Sequence, residues 1–110
     1  MTTATPTPPP GASANIETLF LTLARRWREE RGPTSSTTEM AMCPSYQRII
    51  GLGPAVVPLI LRELEHEPDH WFWALKAITG EDPVPADGRG KVREMAQLWV
   101  AWGRQQGYRW

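Results

Sequence analysis

Glu63, His66 and His70 stand three and four residues apart, the spacing at which side chains of one helix converge on a metal ion. Asp69 could add a further ligand. Pro68 lies between the histidines, which puts them on different helices or in a turn, so we expect exposed or capping histidines and no metal site. Cys43 is the single cysteine. No second thiol and no motif pairing it with a histidine accompanies it, so no disulfide within the chain and no catalytic cysteine are expected. The run "IIGLGP" has two glycines but neither a preceding strand nor a downstream Lys-Ser/Thr, and is not a phosphate loop. Glu81, Asp82 and Asp87 lack calcium-loop spacing. We therefore expect a protein that is not an enzyme and needs no cofactor.

Two other groups of residues are better suited to recognition. Tyr46, Gln47 and Arg48, after Ser45, could read bases from a short helix resembling the second helix of a helix-turn-helix. That reading needs Gln47 and Arg48 exposed. The second group is aromatic. The stretch "HWFWALKAITG" sets Trp71, Phe72 and Trp73 side by side in a chain with six Trp, two Tyr and two Phe. Trp is both a large core residue and an energetic anchor at interfaces.

These residues must be positioned by helices, because nothing in the chain reads as a strand. In "NIETLFLTLARRWREERG", Ile16, Leu19, Phe20, Leu23 and Trp27 fall on one helical face, with Asn15 as N-cap and Gly32-Pro33 as stop. Glu29 and Glu30 sit among the arginines there and make a solvated face. Ser36 and Glu39 form a capping box for a short helix ending near Met42. Pro44 opens "PSYQRII", closed by Gly51. Pro54 and Pro58 sit early in the next helix, whose buried face is Val57, Ile60, Leu61 and Leu64. Asp69 is the N-cap and Gly80 the C-terminal stop of the aromatic helix. "EDPVPADGRG" is a loop. In the last helix Val92, Met95, Ala96, Trp99 and Gly103 form a stripe that Leu98 and Trp102 widen. The expected fold is all-α: a compact bundle of about five to six short helices over residues 15–110. Residues 1–14, "MTTATPTPPPGASA", have little to bury and read as a disordered tail.

Helices joined by a turn as short as Glu67–Asp69 pack side by side. "LGPAVVPLILREL", a turn and "ALKAITG" resemble a HEAT-type antiparallel hairpin, and "AITGEDP" followed by "WVAWG" is similar to the close of such arrays. The resemblance covers residues 46–105 and extends to a group of short bacterial proteins of unassigned role. It implies binding to other macromolecules, mainly proteins.

On a helix successive residues turn by about 100°. Trp71, Ala74, Leu75 and Ile78 therefore share a face toward the preceding helix. Trp73 should turn toward the last or the first helix. Phe72 is left over with Lys76 on a half-polar face, either against the first helix or as an exposed contact. We expect a helical protein-interaction module, in the manner of a small regulatory or antitoxin-like subunit. Its partner surface would be Phe72, Lys76, Trp102, Tyr108 and Trp110, with a homodimer through the same rings as a variant. The second reading is a DNA-binding regulator using Tyr46-Gln47-Arg48. Twelve basic and twelve acidic residues give a net charge of zero, which weighs against binding held mainly by phosphates. No apolar run is long enough to span a bilayer, no signal peptide is visible, and the lone thiol suits a reducing compartment, so a cytoplasmic setting is expected.

Overall fold

The structure is a computed structural model that describes residues 11–110. Six α-helices follow one another: α1 (Gly11–Arg31), α2 (Thr37–Met42), α3 (Pro44–Gly51), α4 (Val57–His66), α5 (Phe72–Thr79) and α6 (Val92–Gln105). Short 3₁₀ turns at Gly53–Val56 and Ala86–Gly88 join α3 to α4 and punctuate the loop before α6. There is no strand among the described residues, and the fold is a small all-α bundle. No helix among them is long and apolar enough to cross a membrane.

Helix α1 begins at Gly11, not after an Asn15 cap. Ala12 and Ala14 are strong helix formers and extend it backward. The tail reading thus gives up residues 11–14, and its remainder, residues 1–10, lies outside the described residues. Phe20, Leu23, Ala24 and Trp27 are the buried face of α1, with Ile16 and Leu19 half-buried. Gly32 takes a positive φ of 57° just past the helix end.

The capping box of α2 is modified. Ser36 Oγ accepts the Glu39 N–H at 3.2 Å as expected. The return half runs through a third residue: Ser36 N–H donates to Thr34 Oγ1, whose hydroxyl donates to the Glu39 carboxylate. Glu30, expected on a wet face, instead ties α1 to α3. Its two carboxylate oxygens accept the Ser45 N–H at 3.1 Å and the Ser45 hydroxyl at 2.6 Å, placing negative charge at a helix N-terminus.

In α4 the expected face is the observed one: Val57, Ile60, Leu61 and Leu64 are buried. Its broadest contact is with α6, whereas α5 leans mainly on α3 and α1 on α3. The α4–α5 pair still touches, but it is not the principal packing that a hairpin reading implies. Gly103 explains the α4–α6 approach. A methyl group there would overlap Leu61 Cδ1 and press on the Trp110 ring at 3.3 Å, so the bare backbone lets the helices close. Leu98 is exposed, and Val100 takes its place on the buried stripe of α6.

Between α1, α3 and α5 lies an aromatic cluster. Trp27 and Trp71 rings are 4.6 Å apart, Trp27 and Tyr46 5.1 Å, and Phe20 and Trp71 5.5 Å. Tyr46 stacks on Trp71 at 5.8 Å. All four rings are fully buried. Polar atoms are carried in with them: Trp27 Nε1–H donates to the Met40 carbonyl at 2.8 Å. The Tyr46 hydroxyl donates to the His70 carbonyl at 3.0 Å and accepts the Ala74 N–H at 2.9 Å. Tyr46 therefore satisfies a first-turn N–H of α5, the task expected of Asp69.

Asp69 does something else. Its carboxylate accepts the adjacent His70 N–H at 2.8 Å and pairs with Arg31 at 2.7 Å and Arg28 at 3.6 Å. Burial works against the charged form, but the Arg31 hydrogen bond, the His70 N–H and both guanidinium charges outweigh it and hold the carboxyl below its ordinary range. The α4–α5 turn is thereby clamped to the end of α1.

Candidate docking groove between α5 and α6

Three consecutive aromatic residues open α5, and the helix sorts them. Trp71 is fully buried in the aromatic cluster. Phe72 is also buried, at 8% exposure, which corrects its placement as an exposed partner contact. Trp73 is the ring left outside, at 42% exposure, where an inward position was expected. The turn of about 100° per residue sends the third ring away from α3, and its i+4 neighbour Ala77 offers little to cover it.

Trp73 stands at one wall of a half-open groove of about 630 Å³. The groove runs between α5, the loop after it and the start of α6. Phe72, Trp99, Val84, Val92 and Met95 make its apolar lining, and Lys76, Asp82, Arg89, His70 and Thr37 its polar one. A mostly apolar concavity with a few converging polar groups is the usual form of a binding site.

The loop wall is built locally. Val84 is buried and pins the loop to the core. Asp82 Oδ1 accepts the Val84 N–H at 3.1 Å and shapes the turn. The other oxygen, Oδ2, faces Arg89 at 2.9 Å and Lys76 at 3.7 Å. Gly80 ends α5 with φ 72°, its N–H donating to the Lys76 carbonyl at 2.9 Å, and so turns the chain toward this loop. Trp99 is fully buried in the opposite wall, and its indole N–H has no acceptor among the described residues.

The other expected contacts lie elsewhere. Trp102 packs edge-on to Trp99 at 5.2 Å and against Tyr108 at 5.8 Å. Trp110 folds back: its Nε1–H donates to Glu65 at 3.0 Å and Arg104 lies over its ring at 5.3 Å. That indole hydrogen bond, opposed by burial and helped by Arg104, lowers the Glu65 carboxyl. All three rings are half-buried against the molecule's own surface, and only Phe72 and Lys76 of the five reach the groove.

The α3 reading loses its first residue. Tyr46 is fully buried with both hydrogen-bonding capacities used inside the core, so it cannot meet a base edge. Gln47 and Arg48 are exposed, and the Gln47 amide donates to the Ala41 carbonyl at 2.6 Å. Burial first, and the Glu30 carboxylate next, push the Cys43 thiol up, away from the reactive thiolate. His66 ends α4 with its Nδ1 2.9 Å from the Arg62 carbonyl, and Glu63 pairs with Arg28. Among the described residues no three His, Cys, Asp or Glu side chains gather as a metal site would require.

Sequence reasoning missed Trp73, Trp99, Asp82 and Arg89 as groove residues. A signal existed for Trp73, which shares its helical face with Ala77 and His70 and has no bulky apolar neighbour on it. No family model, no curated protein and no solved structure matches the chain.

Proposed function

We propose that this chain is a non-enzymatic helical interaction module that docks a protein partner through the α5–α6 groove. The observation that carries the reading is Trp73. It is the one aromatic ring among the exposed large apolar side chains of the described residues, and it borders an apolar concavity. Trp is enriched among the anchors that dominate binding energy, and such anchors sit beside pockets. Leu21, Met42 and Leu98 are exposed too, but none of them lines the groove.

A regulatory subunit in a cytoplasmic setting belongs to the same reading, supported by the single thiol of the sequence. A HEAT-like relationship is supported by "LGPAVVPLILREL" and "AITGEDP", and HEAT-type modules bind proteins.

The test is a tagged pull-down from the native host with nuclease treatment at low and high salt. It compares the wild type with Trp73→Ser and Leu21→Ser. A protein retained by the wild type and Leu21→Ser, and lost with Trp73→Ser, is the expected result. Retention indifferent to Trp73, or retention of nucleic acid alone, would overturn the reading. A second copy of the chain as the retained species would make the module a homodimer.

A further inference from the structure

We infer that the partner segment taken by the groove carries a large apolar side chain, aromatic in the best case, flanked by carboxylates. The inference rests on the docking reading above and names the chemistry of the partner.

Two cations, Lys76 and Arg89, face a single carboxylate, Asp82, at 3.7 and 2.9 Å. Of the acids in the neighbouring loop, Glu81 and Asp87 do not line the groove. The charged lining therefore has one positive charge in excess, although the chain as a whole is neutral. The two cations outnumber the one carboxylate, so carboxylates on a complementary segment answer the remaining charge. Between these groups lie Phe72, Trp73, Trp99 and Met95, which leave room for a ring and offer it stacking and sulfur contacts.

Asp82 makes the inference sharper. It occupies the cations that the partner would use, and so competes with the partner's carboxylates. Asp82→Asn keeps an oxygen for the Val84 N–H and removes the competing charge. It should tighten binding of an acidic segment, whereas a substitution that merely damaged the fold would weaken it.

The experiment uses the full chain and four synthetic peptides, followed by the indole N–H cross-peaks of ¹⁵N-labelled protein. The reference probe is acetyl-Asp-Glu-Phe-Leu-Asp-amide. The others replace its acids by Asn and Gln, its acids by Lys, or its Phe and Leu by Ala. The acidic aromatic peptide should bind, shift the Trp73 and Trp99 cross-peaks, and exceed the neutral one by about tenfold. The basic peptide and the alanine peptide should bind more weakly still. Lys76→Gln with Arg89→Gln should erase the preference for acids, and Asp82→Asn should enlarge it. Equal binding of the acidic, neutral and basic peptides, or no peptide binding at the groove while Trp73-dependent capture of a host protein persists, would overturn this inference and leave the docking reading standing. Loss of Trp73-dependent capture would overturn both.

Discussion

Trp71 and Trp73 are two residues apart on one short helix and meet opposite fates. Trp71 enters a closed cluster in which Phe20, Trp27 and Tyr46 cover it completely. Trp73 borders a half-open groove that Trp99 and Met95 also line. In the closed cluster Trp27 is paired with Met40, and Tyr46 with His70 and Ala74, while the Trp71 indole N–H has no acceptor among the described residues. The groove keeps two cations at its mouth sharing one acid. The difference separates the rings that hold the fold from the one on which the docking proposal rests. Buried rings that cover one another define one packed state, while an uncovered ring beside surplus charge has the character of a partner anchor.

Substitutions should expose that division in descending order of effect on stability. Trp27→Ala removes the ring that touches both Tyr46 and Trp71 and leaves the Met40 carbonyl only the long Cys43 N–H contact at 3.4 Å. It should cost about 4 kcal/mol in urea unfolding, enough to threaten a domain of this size. A cost near zero would break the claim that the closed cluster carries the fold.

Asp69→Asn comes next, at about 1–2 kcal/mol at neutral pH, because the turn before α5 loses its charged clamp to Arg31 and the more exposed Arg28. The folded carboxyl is held below its ordinary range. Its contribution is therefore complete above the unfolded value of about 3.9 and is lost as pH falls through the folded one. Urea curves at neutral and strongly acid pH should show the gap between wild type and variant closing on acidification.

Gly103→Ala should destabilise by about 1 kcal/mol. Its gain in helix propensity is smaller than the cost of moving the buried Leu61 and the Trp110 ring. Thermal unfolding checks the sign. Trp73→Ser should have the smallest effect, below about 1 kcal/mol, while abolishing partner capture. A large loss of stability there would return Trp73 to the core and remove the contrast with Trp71.

The extent to which the sequence announced this molecule follows the range of the interactions. Val57, Ile60, Leu61 and Leu64 were legible as one face because a helix repeats within four residues. Pro44 at a helix start and Gly80 at a helix end were legible because each acts on its own backbone. The Glu30–Ser45 tie and the Tyr46–Ala74 cap join residues 15 and 28 positions apart, and nothing local marks them. The exchange of Phe72 and Trp73 has the same origin. A helical wheel fixes the angle between the two rings but not its zero, which is set by where α3 and the 81–91 loop come to lie. The groove was invisible for the same reason, since its walls come from α5, a loop and α6 together.

The most direct test of the central claim is a hydrogen-exchange footprint of the full chain with and without its nuclease-treated host partner. Added protection should concentrate in α5 and in the segment from Val84 to Met95. Protection at α3 around Gln47 and Arg48, or at the C-terminal rings Trp102, Tyr108 and Trp110, with the groove unchanged, would contradict it.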